Sequence, residues 1–352
     1  MAGKLYNLGV PNGSFDAVVV DESGYAWEPE VISATVWPLL TRTSPGLLVL
    51  AGDPKQLGPV TFSSVAKEHG LGTSLLERLL EREVFRKNIA AFPDTLGYDS
   101  RCITKLVQCY RCHQEIIRVP NALFYDNDLV VPSSDQATEL IHWQGLPATG
   151  FPLIFHGVNG ENVREGSSPS WFNVAEAELV VQYVKRLVET TGFVRADDIG
   201  VIAPYQKQVK KVRAALAQSH FDGVTVGSCE QFQGQEKLVI IISTVRTAAD
   251  FAEYDSRYNL GFVSSAKRMN VAVTRAKALL IVIGSPDILW HDPNWRELIR
   301  HCVSNGGYIG QPLPADADGD GEVEEDADMS AAIQLLVDDN DGGGSNRRCV
   351  IS

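Results

Sequence analysis

Hydrophobic positions in this chain gather into short continuous runs separated by polar turns that carry glycine and proline. Phe15 to Val20, Gly46 to Ala51, Phe151 to Val158, Ile199 to Ala203, Leu238 to Ser243 and Ala278 to Gly284 are such runs. Short β-branched and aliphatic runs bounded by turn signals fit strands covered on both faces. Leu71 to Lys87, Val174 to Glu189 and Gln206 to Gln218 instead show helical periodicity. Asn88 to Ser100 reads as a connector, and Cys102 to His113 as a strand breaking into a polar turn before a helix. Strands alternating with helices predict an α/β fold with parallel sheets.

Chemistry then falls where the runs end, because ligands of open α/β sheets sit at the carboxyl ends of strands. The first run ends in Asp21-Glu22. An Asp there can hold Mg²⁺ through water, and the adjacent Glu can orient or deprotonate the water that attacks a γ-phosphate. A lone Asp-Glu pair fits a solvated turn equally well, but the second run ends in Gly52-Asp53-Pro54-Lys55-Gln56-Leu57-Gly58-Pro59. Gln56 both donates and accepts, so it can sense whether a γ-phosphate is present. Asn270 to Lys277 places Arg275 just before the last buried run, where its cation can reach a neighbouring domain as an arginine finger does. These stretches predict a cleft between two α/β domains that takes a triphosphate.

Other stretches carry more than one reading. Cys109-x-x-Cys112-His113 has the spacing of a c-type haem attachment or part of a zinc site. Tyr110-Arg111 within it offers a flat ring for a nucleobase and a fork for a phosphate. Pro204-Tyr205 at a strand end suits a nucleic-acid backbone and base face, whereas Gln208 and Lys210-Lys211 fit an ordinary helix surface as well. Gly234 permits close backbone approach to a ligand, and Glu236 can accept from ribose hydroxyls.

Size and charge limit the possibilities. A chain of 352 residues at 44% hydrophobic can hold two ordinary domains with cores. No apolar run reaches the roughly 18 residues of a spanning helix, which reads as a cytosolic or nuclear protein. The six cysteines, at 102, 109, 112, 229, 302 and 349, are expected as reduced thiols. Of the net charge of -13, the segment from Ala315 onward holds eleven acids against two arginines, a balance of -9, which leaves -4 for the rest. A basic groove elsewhere remains compatible with that distribution.

In order and spacing, DES, GDPKQLGPV, CYRCH, APYQKQ, SCEQFQGQE and NVAVTRAK resemble motifs II, III, IV, IVa, V and VI of superfamily 1 helicases of the Upf-like group. Within it, HGLGTSLLERLL, GFPLIFHGV, REGSSPSWFN and NLGFVSSAKRMNVAVTRAKALLIVIG resemble the Mov-ten/Armitage RNA helicases of small-RNA silencing and antiviral defence, over Leu5 to Gly310. The resemblance implies tandem RecA-like (P-loop NTPase) domains with parallel sheets, the first incomplete over 1–100 and the second over 101–310; the acidic, glycine-containing composition beyond them reads as a disordered acidic tail over 311–352. It implies ATP and Mg²⁺ as cofactors. Asp21 would hold the metal, Glu22 activate water, Gln56 sense the γ-phosphate, Tyr110 stack on adenine, Arg111 and Arg275 contact phosphate, and Glu236 contact ribose. Single-stranded RNA would meet Pro204, Tyr205 and Ser228, and silencing-complex proteins would be partners in cytoplasmic ribonucleoprotein granules. The family usually has Ala where Ser23 stands and Ser where Cys112 stands.

One departure is large. No G-x-x-x-x-G-K-[ST] phosphate loop occurs in the sequence. The expectation is therefore the C-terminal motor part of a 5′-to-3′ RNA helicase that does not hydrolyse ATP alone, with a non-catalytic RNA- or protein-binding module as the alternative. In the tail, Asp316-x-Asp318-x-Asp320-Gly321 resembles the start of a calcium loop, but Ala327 stands at position 12, and a solvated acidic linker fits better. Met329 to Val337 could form a helical turn or two. The chain ends in Cys349-Val350-Ile351-Ser352, either a chance cysteine or a farnesylation box giving weak membrane association.

Overall fold

The computed structural model describes residues 4, 7–11, 13–39, 46–132, 138–164, 170–247, 262 and 265–318. Met1–Pro312 forms one compact unit, and Leu313–Ser352 is separate from it. Asp320, Met329 to Val337 and Cys349 lie outside the described residues.

The first two runs become strands β1 (Ala17–Val20) and β2 (Leu47–Leu50), linked by helix α1 (Glu28–Leu39). The strands are parallel, Ala17 opposite Leu47 through Val20 opposite Leu50. Parallel neighbours need a crossover, and α1 supplies it, with Glu28 and Glu30 at its electropositive amino end. The expected burial on both faces is not found: Val19 is 66% and Leu47 60% exposed. A two-stranded sheet with a single crossover helix has too few elements to cover both sides.

Two short helices follow, α2 (Ser64–Glu68) and α3 (Leu75–Leu80), capped by the hydroxyls of Ser63 and Ser74, which accept from the amides of Ala66 and Glu77. The helix expected over Leu71 to Lys87 narrows to α3, because Ser74 caps it late and a 3-10 turn at Glu83–Phe85 replaces its end. The strand expected after Cys102 is reduced to one bridge between Gln108 and Val130. Helix α4 (Gln114–Phe124) comes next.

The remaining elements build the larger sheet: β3 (Leu153–Gly157), the antiparallel pair β4 (Asn162–Arg164) and β5 (Trp171–Asn173), α5 (Val174–Thr191), β6 (Ile199–Ile202), α6 (Gln206–Gln218), β7 (Thr225–Gly227), β8 (Lys237–Ser243), α7 (Ala266–Val273), β9 (Ala276–Gly284), α8 (Pro286–Leu289), α9 (Pro293–Ser304) and β10 (Tyr308–Gly310). Six strands lie in the order β10-β3-β9-β8-β6-β7, every pair parallel. The central strands β8 and β9 bury Val239 to Ile242 and Leu279 to Ile283 completely. Val180, Val184 and Leu187 of α5 and Val209, Val212 and Leu216 of α6 close one face. Each such side chain contributes roughly 1.5–3 kcal/mol, so this sheet is the rigid platform on which the site is mounted.

Candidate active site

The carboxyl ends of β1 and β2 are locked together. The Ser23 amide and hydroxyl both donate to the Ala51 carbonyl, at 2.8 and 2.9 Å. A Cβ on Gly52 would lie 2.9 Å from the amide nitrogens of Ser23 and Gly24, so only glycine allows this approach. Glu22 takes a left-handed backbone, φ 52°, and its amide donates to Asp21 Oδ1 at 2.9 Å. Such a conformation in a non-glycine residue costs about 1–3 kcal/mol and is typical of functional turns.

Beyond β2, Asp53 organises the turn. Its Oδ1 accepts from the Lys55 amide at 2.8 Å, and its Oδ2 from Gln56 Nε2 at 3.0 Å and the Tyr125 hydroxyl at 2.7 Å. Burial first, and then the Asp53 charge, push the Tyr125 hydroxyl well above the ordinary tyrosine range. With its Nε2 held by Asp53, Gln56 presents Oε1 to the larger sheet.

That sheet answers with Arg275, placed between the end of α7 and the first residue of β9. Its Nη2 donates to Gln56 Oε1 at 3.1 Å, its Nε to the Val271 carbonyl at 3.2 Å and its Nη1 to the Gln235 carbonyl at 3.4 Å. The side chain is 2% exposed. Burial, and after it the neighbouring Arg111, pull its pKa down, yet a guanidinium so placed keeps its charge. The carbonyls at the end of α7 supply part of the compensation.

Residues 228–236 run from the carboxyl end of β7 to the amino end of β8, and bring three more groups. Gln233 Nε2 donates to Glu22 Oε2 at 3.1 Å. Gly234, φ 70°, has open space where a Cβ would stand. Glu236 accepts from Arg111 Nε at 2.9 Å and pairs with Lys277 at 3.4 Å. Desolvation is the largest influence on its carboxyl and raises it, but Arg111 and Lys277 together hold it below the usual range. Arg111 also reaches the Thr274 carbonyl at 3.5 Å, and the adjacent Tyr110 ring is 72% exposed. Asn270 Nδ2 ties the Lys55 carbonyl at 3.0 Å to the Tyr125 hydroxyl at 2.7 Å. Gln233 Oε1 and Asn270 Oδ1 are buried acceptors with no hydrogen-bond partner among the described residues.

Asp21, Glu22, Gln56, Arg111, Arg275, Gly234 and Glu236 thus converge, at the carboxyl ends of the small sheet and the amino ends of β8 and β9. Pro204 and Tyr205 follow β6 and Ser228 follows β7, at the opposite ends of their strands. Tyr205 is 1% exposed, with the Arg246 guanidinium 5.6 Å from its ring centroid and 4.9 Å from that of Trp171. The ring face expected to meet a base is therefore covered. In the Cys-x-x-Cys-His stretch, His113 Nδ1 accepts from the Glu115 amide at 3.2 Å and caps α4. Tyr125, Asn270 and Gln233 escaped the sequence reading. Gln233 beside Gly234 and Asn270 at the head of the Asn270 to Lys277 stretch lie in segments already singled out, which could have flagged those two; nothing near Tyr125 did.

Two parallel α/β sheets joined by an arginine from one and a glutamine from the other define a RecA-like two-sheet core. The family described as AAA domain matches residues 71–287, and another family of the same description matches residues 4–64. The RNA helicase Mov10l1 of Homo sapiens is 48% identical over 316 residues, covering 89% of this chain and 26% of that protein. The protein named probable RNA helicase armi of Drosophila melanogaster is 39% identical over 322 residues, covering 89% of this chain and 27% of that one. The chain belongs to the superfamily 1 helicases, in their Mov-ten/Armitage branch. It spans about a third or less of the length of the curated relatives it matches.

Proposed function

We propose that this chain is part of an ATP-driven RNA helicase of the Mov-ten type, and that it contributes the water-activating and arginine-bearing sides of the motor's nucleotide site. The observation that carries this is the 3.1 Å bond from Arg275 to Gln56, which puts a buried cation from one sheet against a neutral sensor on the other. An inserted γ-phosphate would replace Gln56 Oε1 as the partner of Arg275, so triphosphate and closure of the two sheets would be coupled. Glu22 faces the same junction, held by Gln233, and its carboxylate would orient the attacking water beside the orphaned Gln233 Oε1.

Mg²⁺ and ATP fit the residues present. Asp21 offers hard carboxylate oxygens at a strand end, with one oxygen already oriented by the Glu22 amide. When bound, Mg²⁺ neutralises phosphate charge. Tyr110 would stack on the base, Arg111 would contact phosphate and Glu236 the ribose. Single-stranded RNA would run across the other end of the large sheet, near Pro204 and Ser228, and 5′-to-3′ movement in small-RNA silencing belongs to the same proposal.

Because the sequence lacks a Walker A loop, this chain is proposed to bind nucleotide weakly and not to hydrolyse it alone. The same feature favours the second reading, a non-catalytic RNA-binding module. Titrating a fluorescent ATP analogue into the chain separates them. Base stacking is worth roughly 1–3 kcal/mol, so Tyr110→Ala should weaken binding about 5- to 150-fold. Nucleotide binding indifferent to both Tyr110→Ala and Arg275→Ala would sink the motor reading, while retained RNA binding would leave the module.

A further inference from the structure

The polar side chains around Gln56 have one workable arrangement. A guanidinium only donates and a carboxylate only accepts, so the Gln56 amide, with Oε1 on Arg275 Nη2 at 3.1 Å and Nε2 on Asp53 Oδ2 at 3.0 Å, cannot be flipped. The Tyr125 hydroxyl gives its hydrogen to the same Asp53 oxygen at 2.7 Å, and therefore accepts from Asn270 Nδ2, also at 2.7 Å. The Lys55 carbonyl takes the other Nδ2 hydrogen at 3.0 Å, which leaves the buried Asn270 Oδ1 without a donor among the described residues. An unsatisfied buried acceptor is destabilising, so Asn270 makes its two bonds at a cost to stability. Two arms thus start near the end of α7 and meet on Asp53, one from Asn270 through Tyr125 and one from Arg275 through Gln56.

Tyr125 is set in place by its own segment. It ends α4, and the next two residues, Asp126 and Asn127, both take left-handed backbone, φ 59° and 60°, a conformation that Asp and Asn tolerate better than other side chains. Asn121 closes this turn, its Nδ2 donating to the Leu129 carbonyl and its Oδ1 accepting from the Leu129 amide, each at 2.9 Å. Lys105 pairs with Asp128 at 2.6 Å and Lys87 with Asp126 at 2.7 Å. The ring is therefore a fixed post against which Asp53 is held. Burial, and then the Asp53 charge, keep its hydroxyl protonated, so it remains a donor.

We propose that Tyr125, oriented by Asn270, is a positioning residue that gives the nucleotide site its preference for a triphosphate over a diphosphate. The inference rests on the nucleotide reading above. A γ-phosphate that draws Arg275 away from Gln56 opens one of the two arms. The other arm keeps the Asp53 carboxylate and the Lys55 carbonyl on α4 and α7, so Gln56 stays fixed by its Nε2 while its freed Oε1 faces the phosphate and the attacking water. A polar group held in place before the charge arrives avoids the reorganisation that a loose turn would undergo. Without the Tyr125 hydroxyl, the turn from Asp53 to Gln56 loosens at the moment Arg275 leaves it, and part of the γ-phosphate's binding is lost to ordering that turn again. A diphosphate leaves the bond from Arg275 to Gln56 closed and is indifferent to the second arm.

The test compares ATP and ADP, with Mg²⁺, as competitors of a fluorescent ATP analogue on the whole chain. Tyr125→Phe keeps the ring and removes only the hydroxyl. It should lower the preference for ATP over ADP by about five-fold or more, with ADP affinity unchanged. Tyr183→Phe, which removes a buried hydroxyl bonded to His156 Nδ1 at 2.7 Å in the larger sheet, should leave the preference intact. Equal losses for ATP and ADP would reduce Tyr125 to a stabilising residue and overturn the proposal. A second measurement needs no nucleotide: exchange of the Lys55 and Gln56 amides, which bond Asp53 at 2.8 and 3.3 Å, in Tyr125→Phe, Arg275→Met and the double variant. Two arms on one turn predict that the double variant speeds exchange by more than the product of the single effects, and a simple product overturns the proposal. If the chain binds neither nucleotide while the double variant shows this synergy, the nucleotide reading fails, and the triphosphate preference with it, while the two-armed hold on the turn stands.

Discussion

Arg275 shows how one side chain can serve both stability and chemistry. Its guanidinium gathers the Val271 and Gln235 carbonyls and Gln56 Oε1 in a buried setting. Truncation leaves these acceptors without their donor, and each buried loss costs about 1–3 kcal/mol. Arg275→Ala is expected to lower unfolding free energy by roughly 2–4 kcal/mol, measured by urea denaturation, with Arg275→Lys falling between. A loss below the error of the measurement would mean that the groups find other partners. The place of Arg275 was legible in the sequence because it stands three residues before the apolar run from Ala278, which is local information. Tyr205 misled for the opposite reason: Arg246 covers its ring, and nothing near residue 205 announces that. Asn270 joins Lys55 and Tyr125, partners set by the fold and not by spacing. Even the unusual Ser23 explains itself only in three dimensions, where its hydroxyl closes the turn on Ala51.

At the scale of elements, helix α6 appears over the residues its periodicity marked, and β3, β6, β8 and β9 form within or next to their apolar runs. Helix α9 was overlooked, although Asp292-Pro293 is a start signal and the Asp292 carboxylate accepts from the amides of Asn294 and Trp295. Three-residue β10 is too short to show a period. What no pattern showed is how α5 is fastened to β8. Glu176, three residues past the Asn173 cap, is fully buried, accepts from Ser243 Oγ at 2.6 Å and from the Val245 amide at 2.9 Å, and lies in a network with Gln208. Burial raises its carboxyl to about 7 against those donors. A raised carboxyl pKa means that the folded state holds a proton the unfolded chain has released, so stability falls as pH rises between the two values. Unfolding free energy should decline from about pH 4.5 to about pH 7 by up to roughly 3 kcal/mol from this group, then level off. Glu176→Gln, neutral throughout, should lose that component of the slope in denaturation at a series of pH values. An unchanged slope would mean that the network holds the carboxylate ionised.

For the molecule as a whole, the two sheets differ in kind. Strands β8 and β9 are sealed on both faces, whereas β1 and β2 expose Val19 and Leu47. Among the described residues, polar bonds join the small sheet to the large one: Arg275 to Gln56, Gln233 to Glu22, Asn270 to the Lys55 carbonyl, and Lys267 to Glu77 at 2.9 Å. Partly exposed ion pairs such as the last contribute about 0–1 kcal/mol, so most of the coupling rests on Arg275 and Asn270. Local opening takes place where few apolar contacts hold the backbone. Amides of Val239 to Ile242 and Leu279 to Ile283 should exchange with solvent only on global unfolding, and those of β1 and β2 by a much easier local opening. Asn270→Ala removes the link between Lys55 and Tyr125, and should speed exchange of Ala51 and Gln56, whose amides bond Val20 and Asp53, while leaving β8 and β9 unaltered. If the substitution instead slowed nothing and sped both sheets equally, the small sheet would be opening only with the whole molecule, and the polar junction could not act as a hinge that closes on a phosphate.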